Sequence, residues 1–233
     1  MSSAVIITAA GSSRRFNSSL ENTGLKKEFL CIDDLPILCH AILPFLQMED
    51  LAVLAVTYRE GDLETVRKLV LQTPCIAENK RLEILFVQGG ATRQESVFNA
   101  LKSLEHSKKS SDINVVGIHD GARPFIDVSL VKACFDAAKT VGGSCPCLRV
   151  TDTLVRVDDD GLLCGRLSRD GICTVQTPQC FRFPDILRAH EAAVPGKAYT
   201  DDTEIFMDRG GKVAFVQGDS GNRKITYASD LQV

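Results

Sequence analysis

Ala4-Val5-Ile6-Ile7-Thr8-Ala9-Ala10-Gly11-Ser12-Ser13-Arg14-Arg15-Phe16 is an apolar, largely β-branched run that gives way to small residues and then to two arginines. A short buried strand followed by a loop with little side-chain bulk suits the carboxyl edge of an open α/β sheet, where such sheets bind ligands. The loop is no Walker sequence, because no Gly-Lys-Ser/Thr follows, and it lacks G-x-G-x-x-G. Its alanines and glycine would let an anion approach backbone N–H groups, and the arginines supply charge. Alone, the loop can also be read as a solvated turn with incidental arginines. What surrounds it decides.

Outward from this stretch, short β-branched runs alternate with longer segments of helical period. Strands are predicted at Ala4–Thr8, Ala52–Thr57, Glu83–Gln88, Ile113–His119, Gly143–Val150 and Val213–Val216. Helices are predicted at Pro36–Met48, Gly61–Gln72, Thr92–Glu105, Ser129–Val141 and Phe183–Val194. This alternation specifies an α/β fold, a Rossmann-like, mainly parallel sheet flanked by helices. One region interrupts it: Thr153–Val157 and Leu162–Arg166 are strand-like and joined by Asp158-Asp159-Asp160-Gly161, a turn cluster. The expectation is a single domain over 1–233 with a projecting β-hairpin arm at about 149–172. A lone hairpin is marginal in water, so the arm needs a surface, and a second copy of the chain is the economical candidate.

The 233 residues, 44% hydrophobic and 24% charged, suffice for one sizeable core, and a formal net charge of −3 creates no field toward nucleic acid or an anionic membrane. Phosphate must therefore be held by local cations. Nine cysteines, an odd number without a C-x-x-C pair, beside four histidines suggest neither a disulfide framework nor a zinc site. The amino-terminal apolar run lacks a preceding basic region and no stretch approaches a membrane span, so a cytoplasmic location is expected.

Three further segments carry chemistry. Gly89-Gly90-Ala91-Thr92-Arg93-Gln94-Glu95-Ser96 follows a strand, and Thr92 and Glu95 have capping-box spacing, so a helix should begin there with its free N–H groups on the ligand rim. Capping explains Thr92 and Glu95 but leaves Arg93 and Ser96 over. In His119-Asp120-Gly121-Ala122-Arg123-Pro124, Asp120 ends a strand, where a carboxylate can hold a hard cation such as Mg²⁺ or simply form a turn. His119 reads as packing beside the strand. Asn222-Arg223-Lys224-Ile225-Thr226, after the last strand, adds cations to the same rim.

Taken in order, these elements resemble the 2-C-methyl-D-erythritol 4-phosphate cytidylyltransferases of the sugar nucleotidyltransferase superfamily. The likeness runs from Ala4 to about Leu231. It rests on the Ala-Ala-Gly loop with Arg15, on Lys27, on Gly89-Gly90 with Arg93 and Ser96, and on His119 to Pro124. It continues through Asp152-Thr153, Arg169, Thr177-Pro178-Gln179, Thr200-Asp201 and Asn222 to Thr226. The resemblance implies that CTP donates a cytidylyl group to a polyol phosphate with Mg²⁺. Ala9, Ala10, Gly11, Gly89, Gly90, Arg93 and Ser96 would then bind the nucleotide, and Asp120 would hold the metal. Arg15, Lys27, Arg169 and Lys224 would be catalytic cations, and Arg169, Thr177, Thr200 and Lys224 would meet the acceptor. It further implies a homodimer in which Arg169 serves the partner's site.

Such a transfer suits a cation-rich rim, because a phosphate acceptor is already a nucleophile and the difficulty is to bring two anions together. Ser13 stands where the family usually has Gly, and Lys26-Lys27-Glu28 where it has Pro-Lys-Gln. The loop around Asn17 to Thr23 is longer, so Lys27 is matched by register. Ribitol-5-phosphate cytidylyltransferase is the nearest alternative, with Asp152-Thr153 and Ser168 to Gly171 favouring the erythritol enzyme. A non-catalytic nucleotide-binding module is the alternative of another class, and it would have no use for Lys27, Asp120, Arg169 and Lys224 together.

Overall fold

The structure, a computed structural model, describes residues 2–18, 24 and 26–231. The first half of the chain runs β1 (Ser2–Thr8), α1 (Arg14–Ser18), the two-residue strands β2 (Cys31–Ile32) and β3 (Leu35–Pro36), α2 (Ile37–Ile42), β4 (Leu51–Tyr58), α3 (Leu63–Leu71), α4 (Pro74–Ala77), β5 (Glu83–Gln88), α5 (Arg93–Glu105) and β6 (Ile113–Asp120). The second half adds α6 (Val128–Val141), β7 (Gly143–Arg149), β8 (Leu154–Val157), β9 (Leu163–Leu167), β10 (Cys173–Val175), β11 (Gln179–Arg182), α7 (Phe183–Glu191), α8 (Asp202–Asp208) and β12 (Val213–Gln217). The main sheet has the order β10-β7-β11-β6-β1-β4-β5, with β12 also pairing β7. The β6-β1, β1-β4, β4-β5 and β7-β12 pairs are parallel.

The central strands are apolar at successive positions because both faces of the sheet are covered. Val5, Ile7, Leu54 and Val56 point into one core, against Leu38, Phe45, Val131 and Phe135. Ala4, Ile6, Val53 and Ala55 point into the other, with Val97, Leu101, Ile186 and Phe206. The period of two thus divides one run between two layers of helices, and each fully buried Ile or Leu is worth about 1.5–3 kcal/mol.

All six expected strands are present. The helices differ at their ends for local reasons. The segment expected as a helix over Pro36–Met48 is α2 followed by a 3₁₀ segment at Leu43–Gln47, since Pro44 cannot donate within a continuing α-helix. Thr92 caps α5 by accepting from the Glu95 N–H at 3.1 Å. Asp127 caps α6, which stops at Gly142 with φ of 115°. The antiparallel strands β10 and β11 and the helix α8 were not among the sequence expectations. At three, four and seven residues they are too short to display a hydrophobic period.

Register brings several strand ends to one edge of the sheet. Thr8 lies opposite both Thr57 and Asp120, so β1, β4 and β6 end level and their following loops stand side by side. Gln88 lies opposite Tyr58, which brings the β5 loop to the same edge. The expected hairpin is present as β8 and β9, which among the described residues pair only with each other, and Asp158 shapes its turn by accepting from the Asp160 and Leu162 N–H groups. Its Val155, Val157, Leu162, Leu163 and Leu167 are 41–72% exposed, apolar side chains left open to solvent among the described residues. The lengthened loop expected around Asn17 to Thr23 falls partly on residues 19–23, outside the described residues. Among the described residues no helix is long and apolar enough to cross a membrane.

Candidate active site

Asp120 ends β6 at the centre of the edge, 7% exposed, with three cations around its carboxylate. Lys224 Nζ is 2.9 Å from Oδ2, Arg123 Nε 3.4 Å from Oδ2 and Arg93 Nε 4.0 Å from Oδ1. Burial alone would raise its pKa, but Lys224, Arg93 and Arg123 outweigh it and hold the group well below the usual carboxylate range. Arg123 is itself oriented by donating to the Asn222 carbonyl at 2.8 Å.

Lys224 reaches this point because the segment after β12 crosses back over the sheet edge. Gln176 donates to the carbonyls of Asp219 and Asn222, Asn222 donates to the Thr177 carbonyl at 2.9 Å, and the Ile225 N–H bonds to the Ala122 carbonyl at 2.8 Å. Ile225 is buried with Phe16 and Ile37, which fastens the strap to the base of the first loop. Lys27, 8% exposed, donates from Nζ to the Ile225 carbonyl at 2.5 Å. Burial pushes its pKa down; Glu28 and Asp120 draw it up, while Lys224 and Arg15 push it further down. Lys27 therefore belongs to the same electrostatic cluster as Arg15, Asp120 and Lys224.

The two small-residue loops meet face to face. A Cβ on Gly89 would lie 2.4 Å from the Ala10 Cβ and 2.8 Å from Ser96 Oγ, so only glycine allows this approach. A Cβ on Gly90 would lie 2.4 Å from the Glu95 Cβ. Ser96, 4% exposed, donates to the Thr92 carbonyl and accepts from the Gly90 N–H at 3.1 Å. Gly11 carries no such crowding and lies exposed at the tip. Ser13 has φ of 51° and donates to Glu28 Oε2 at 3.2 Å.

Arg93, at the start of α5, pairs with Asp202 at 2.7 Å as well as facing Asp120. Thr177 is buried beside Asp120, its hydroxyl accepting from the Asp120 N–H at 3.1 Å and bonding His119 Nδ1 at 3.0 Å. It is therefore a pin of the β6 terminus, with its hydroxyl already engaged. Thr200 bonds Glu204 through both N–H and hydroxyl, next to the Asp201 cap of α8. Arg169 lies exposed just beyond β9 and donates to the Thr151 carbonyl, apart from the contacts that join the other cations.

His119 is fully buried, its Nε2 near the Arg123 carbonyl at 3.1 Å and its ring 5.1 Å from that of Phe45. A carbonyl can only accept, so Nε2 carries the proton and Nδ1 accepts from Thr177. Burial lowers its pKa to about 4, so the ring is neutral and holds the loop after Asp120.

Arg123, Asp202 and His190 join this network without having been singled out from the sequence. Asp202 is fully buried, Nε2 of His190 lies 3.3 Å from its Oδ1, and Phe98 stacks on the imidazole at 6.2 Å. The signal available was the pair of carboxylates at Asp201-Asp202, one of which caps a helix while the other turns inward. Among the described residues no three His, Cys, Asp or Glu side chains gather as a metal-binding group. A lone carboxylate matches Mg²⁺, which commonly takes one or two carboxylates and completes its shell with water and substrate phosphates.

The sequence profile of a family described as 2-C-methyl-D-erythritol 4-phosphate cytidylyltransferase matches residues 3–233. The bifunctional enzyme IspD/IspF of Rhodobacter capsulatus is 39% identical over 231 residues, covering 99% of this chain and 54% of that protein. The chain thus spans about half the length of that relative. The 2-C-methyl-D-erythritol 4-phosphate cytidylyltransferase of Bacillus licheniformis is 33% identical, with 98% of this chain and 92% of that protein covered. The crystal structure of the Thermus thermophilus enzyme of the same name is 30% identical and superposes with a TM-score of 0.74, covering 100% of this chain and 96% of that one.

Proposed function

The chain belongs to the 2-C-methyl-D-erythritol 4-phosphate cytidylyltransferase family, and from that premise we propose that it transfers the cytidylyl group of CTP to 2-C-methyl-D-erythritol 4-phosphate. An acceptor phosphate oxygen forms a bond to the α-phosphorus of CTP. The bond from that phosphorus to the β-phosphate oxygen breaks, and pyrophosphate leaves. The product, 4-diphosphocytidyl-2-C-methyl-D-erythritol, is an isoprenoid precursor. No general base is required, because the acceptor is already ionised.

The observation that carries this reading is the cluster at the level ends of β1 and β6. Lys27 and Lys224 stand beside Asp120, with Arg123 and Arg93 completing the ring of charge. Such cations bring two phosphates together and stabilise charge on the transferring group, so that catalysis comes from positioning and electrostatics. Ala9, Ala10 and Gly11 with Gly89, Gly90 and Ser96 form the cytidine side, where backbone amides and a fixed hydroxyl distinguish base edges. Asp120 is the carboxylate that would hold Mg²⁺. The metal when bound neutralises triphosphate charge.

The exposed apolar side chains of the hairpin support a homodimer, with Arg169 entering the partner's site to meet the acceptor phosphate. A cytoplasmic location accords with nine cysteines, an odd number without a C-x-x-C pair. The deciding experiment follows pyrophosphate release with CTP, UTP or ATP and with each candidate polyol phosphate. Release is expected with CTP and the erythritol phosphate; equal rates with ATP or UTP overturn the cytidylyl assignment, and preference for ribitol 5-phosphate overturns the acceptor.

A further inference from the structure

Lys26 is 6% exposed, yet its ammonium has no place among the cations around Asp120. Nζ lies 2.9 Å from the Ala9 carbonyl and 2.8 Å from Asp62 Oδ2, and 5.3 Å from the centre of the Phe29 ring. Asp62 belongs to the turn between β4 and α3. The Ala9 N–H donates to the hydroxyl of Thr57, a fully buried residue of β4, at 3.0 Å. Residue Ala9 is therefore held at both polar ends by groups from, or anchored to, the neighbouring strand and its loop.

A trans peptide is planar, so its C=O and the following N–H point in opposite directions. With the Ala9 carbonyl turned toward Lys26, the Ala10 N–H is turned away from it. The N–H groups of Ala10, Gly11 and Ser12 donate to nothing among the described residues. Ala10 sits against Gly89 in the contact where the two small-residue loops meet. A cation on the carbonyl also polarises the amide, making its N–H a stronger donor, and a charge-assisted bond exceeds a neutral one.

We propose that Lys26, anchored by Asp62, is a positioning residue that sets the Ala9–Ala10 peptide so that its N–H faces the nucleotide, and so governs CTP affinity. The inference rests on reading this cleft as the CTP site. It gives two adjacent lysines different roles, with Lys27 facing the reacting phosphates and Lys26 acting through the loop.

The test measures CTP binding in Mg²⁺ by calorimetry, together with kcat and KM, for the wild type, Lys26→Met, Lys26→Arg, Asp62→Asn and the Lys26→Met/Asp62→Asn double variant. Methionine keeps most of the stem and removes the charge. Lys26→Met is expected to weaken CTP binding about 10-fold and raise KM alike, with kcat changed less than about 3-fold, the pattern of lost uniform binding. Asp62→Asn moves affinity in the same direction, Lys26→Arg restores most of it, and the double variant is no worse than Lys26→Met because the two residues act as one unit. Unchanged CTP affinity in Lys26→Met, with only a lower Tm, overturns the proposal and leaves the CTP reading intact. Should Lys26→Met fail to fold, wild-type affinity in Asp62→Asn overturns it equally. A wild type that does not bind CTP defeats the reading of the cleft itself.

Discussion

Acidification should expose the cost of keeping His119 neutral. The imidazole is fully buried between β6 and Phe45, and burial lowers its pKa from 6.5 to about 4. Between these values the unfolded chain binds a proton that the folded chain refuses, so stability must fall as pH falls. At pH 5 the unfolded-state histidine is almost wholly protonated and the folded one still mostly neutral. The difference relative to pH 7 comes to about 2 kcal/mol, and it grows to about 3 kcal/mol at pH 4. Replacing His119 by Gln keeps an amide N–H for the Arg123 carbonyl but removes the titration. Loss of the bond to Thr177 should itself cost about 1–3 kcal/mol at pH 7.

The assay is urea unfolding of both proteins at pH 7, 6 and 5. Carboxylates and other histidines titrate in both, so the difference in slope isolates His119. The wild type should lose about 2 kcal/mol more than His119→Gln over that range. Parallel losses in the two proteins would mean that the folded protein accepts the proton on His119 as readily as the unfolded chain does, which refutes the lowered pKa.

Lys27→Ala should lower kcat by about 10²-fold or more, as for other groups that act on the transition state. Because burial leads the downward shift of its pKa, the rate should decline on the alkaline side below the ordinary lysine value of 10.5, and Lys27→Arg should move that limb upward; a limb identical in Lys27→Arg would exclude Lys27 as its origin. Asp120→Asn keeps the shape and removes the charge, so activity should fall and recover only at higher Mg²⁺; a wild-type Mg²⁺ titration would return Asp120 to a turn-forming role. Mixing Asp120→Asn with Arg169→Ala chains, each nearly inactive, should restore roughly a quarter of wild-type activity through dimers with one sound site. No recovery after proven subunit exchange would defeat the shared site.

The parallel part of the sheet was legible because buried strands must be apolar at successive positions, as Ala4 to Ile7 and Val53 to Val56 are. What was not legible is how the sheet closes on its second side. Gln179–Arg182 inserts antiparallel between β6 and β7, although four residues ending directly in a helix carry no period of their own. Its position is imposed from outside, by Phe181 packing beside Phe206 with ring centres 5.0 Å apart. Likewise Pro44 divided a helix whose apolar pattern runs on through Phe45 and Leu46, because the pattern reports the buried face and not the hydrogen bonding.

The site was legible as a set of loops, since motif order reflects strand order, but not as a set of contacts. Register brings Thr8 opposite Asp120, and the strap after β12 brings Lys224 onto the same carboxylate; neither follows from spacing along the chain. The neighbouring lysines make the distinction sharpest. Lys26 is extended, with φ of −85° and ψ of 120°, while Lys27 begins a 3₁₀ turn, so their side chains leave the backbone in different directions. One reaches Ala9 and Asp62, the other Ile225 and the charges near Asp120. Matching by register selects a lysine without saying what its neighbour does. A buried ammonium needs partners, and Lys26 finds them on two separate segments, the Ala9 carbonyl of the first loop and Asp62 of the turn after β4.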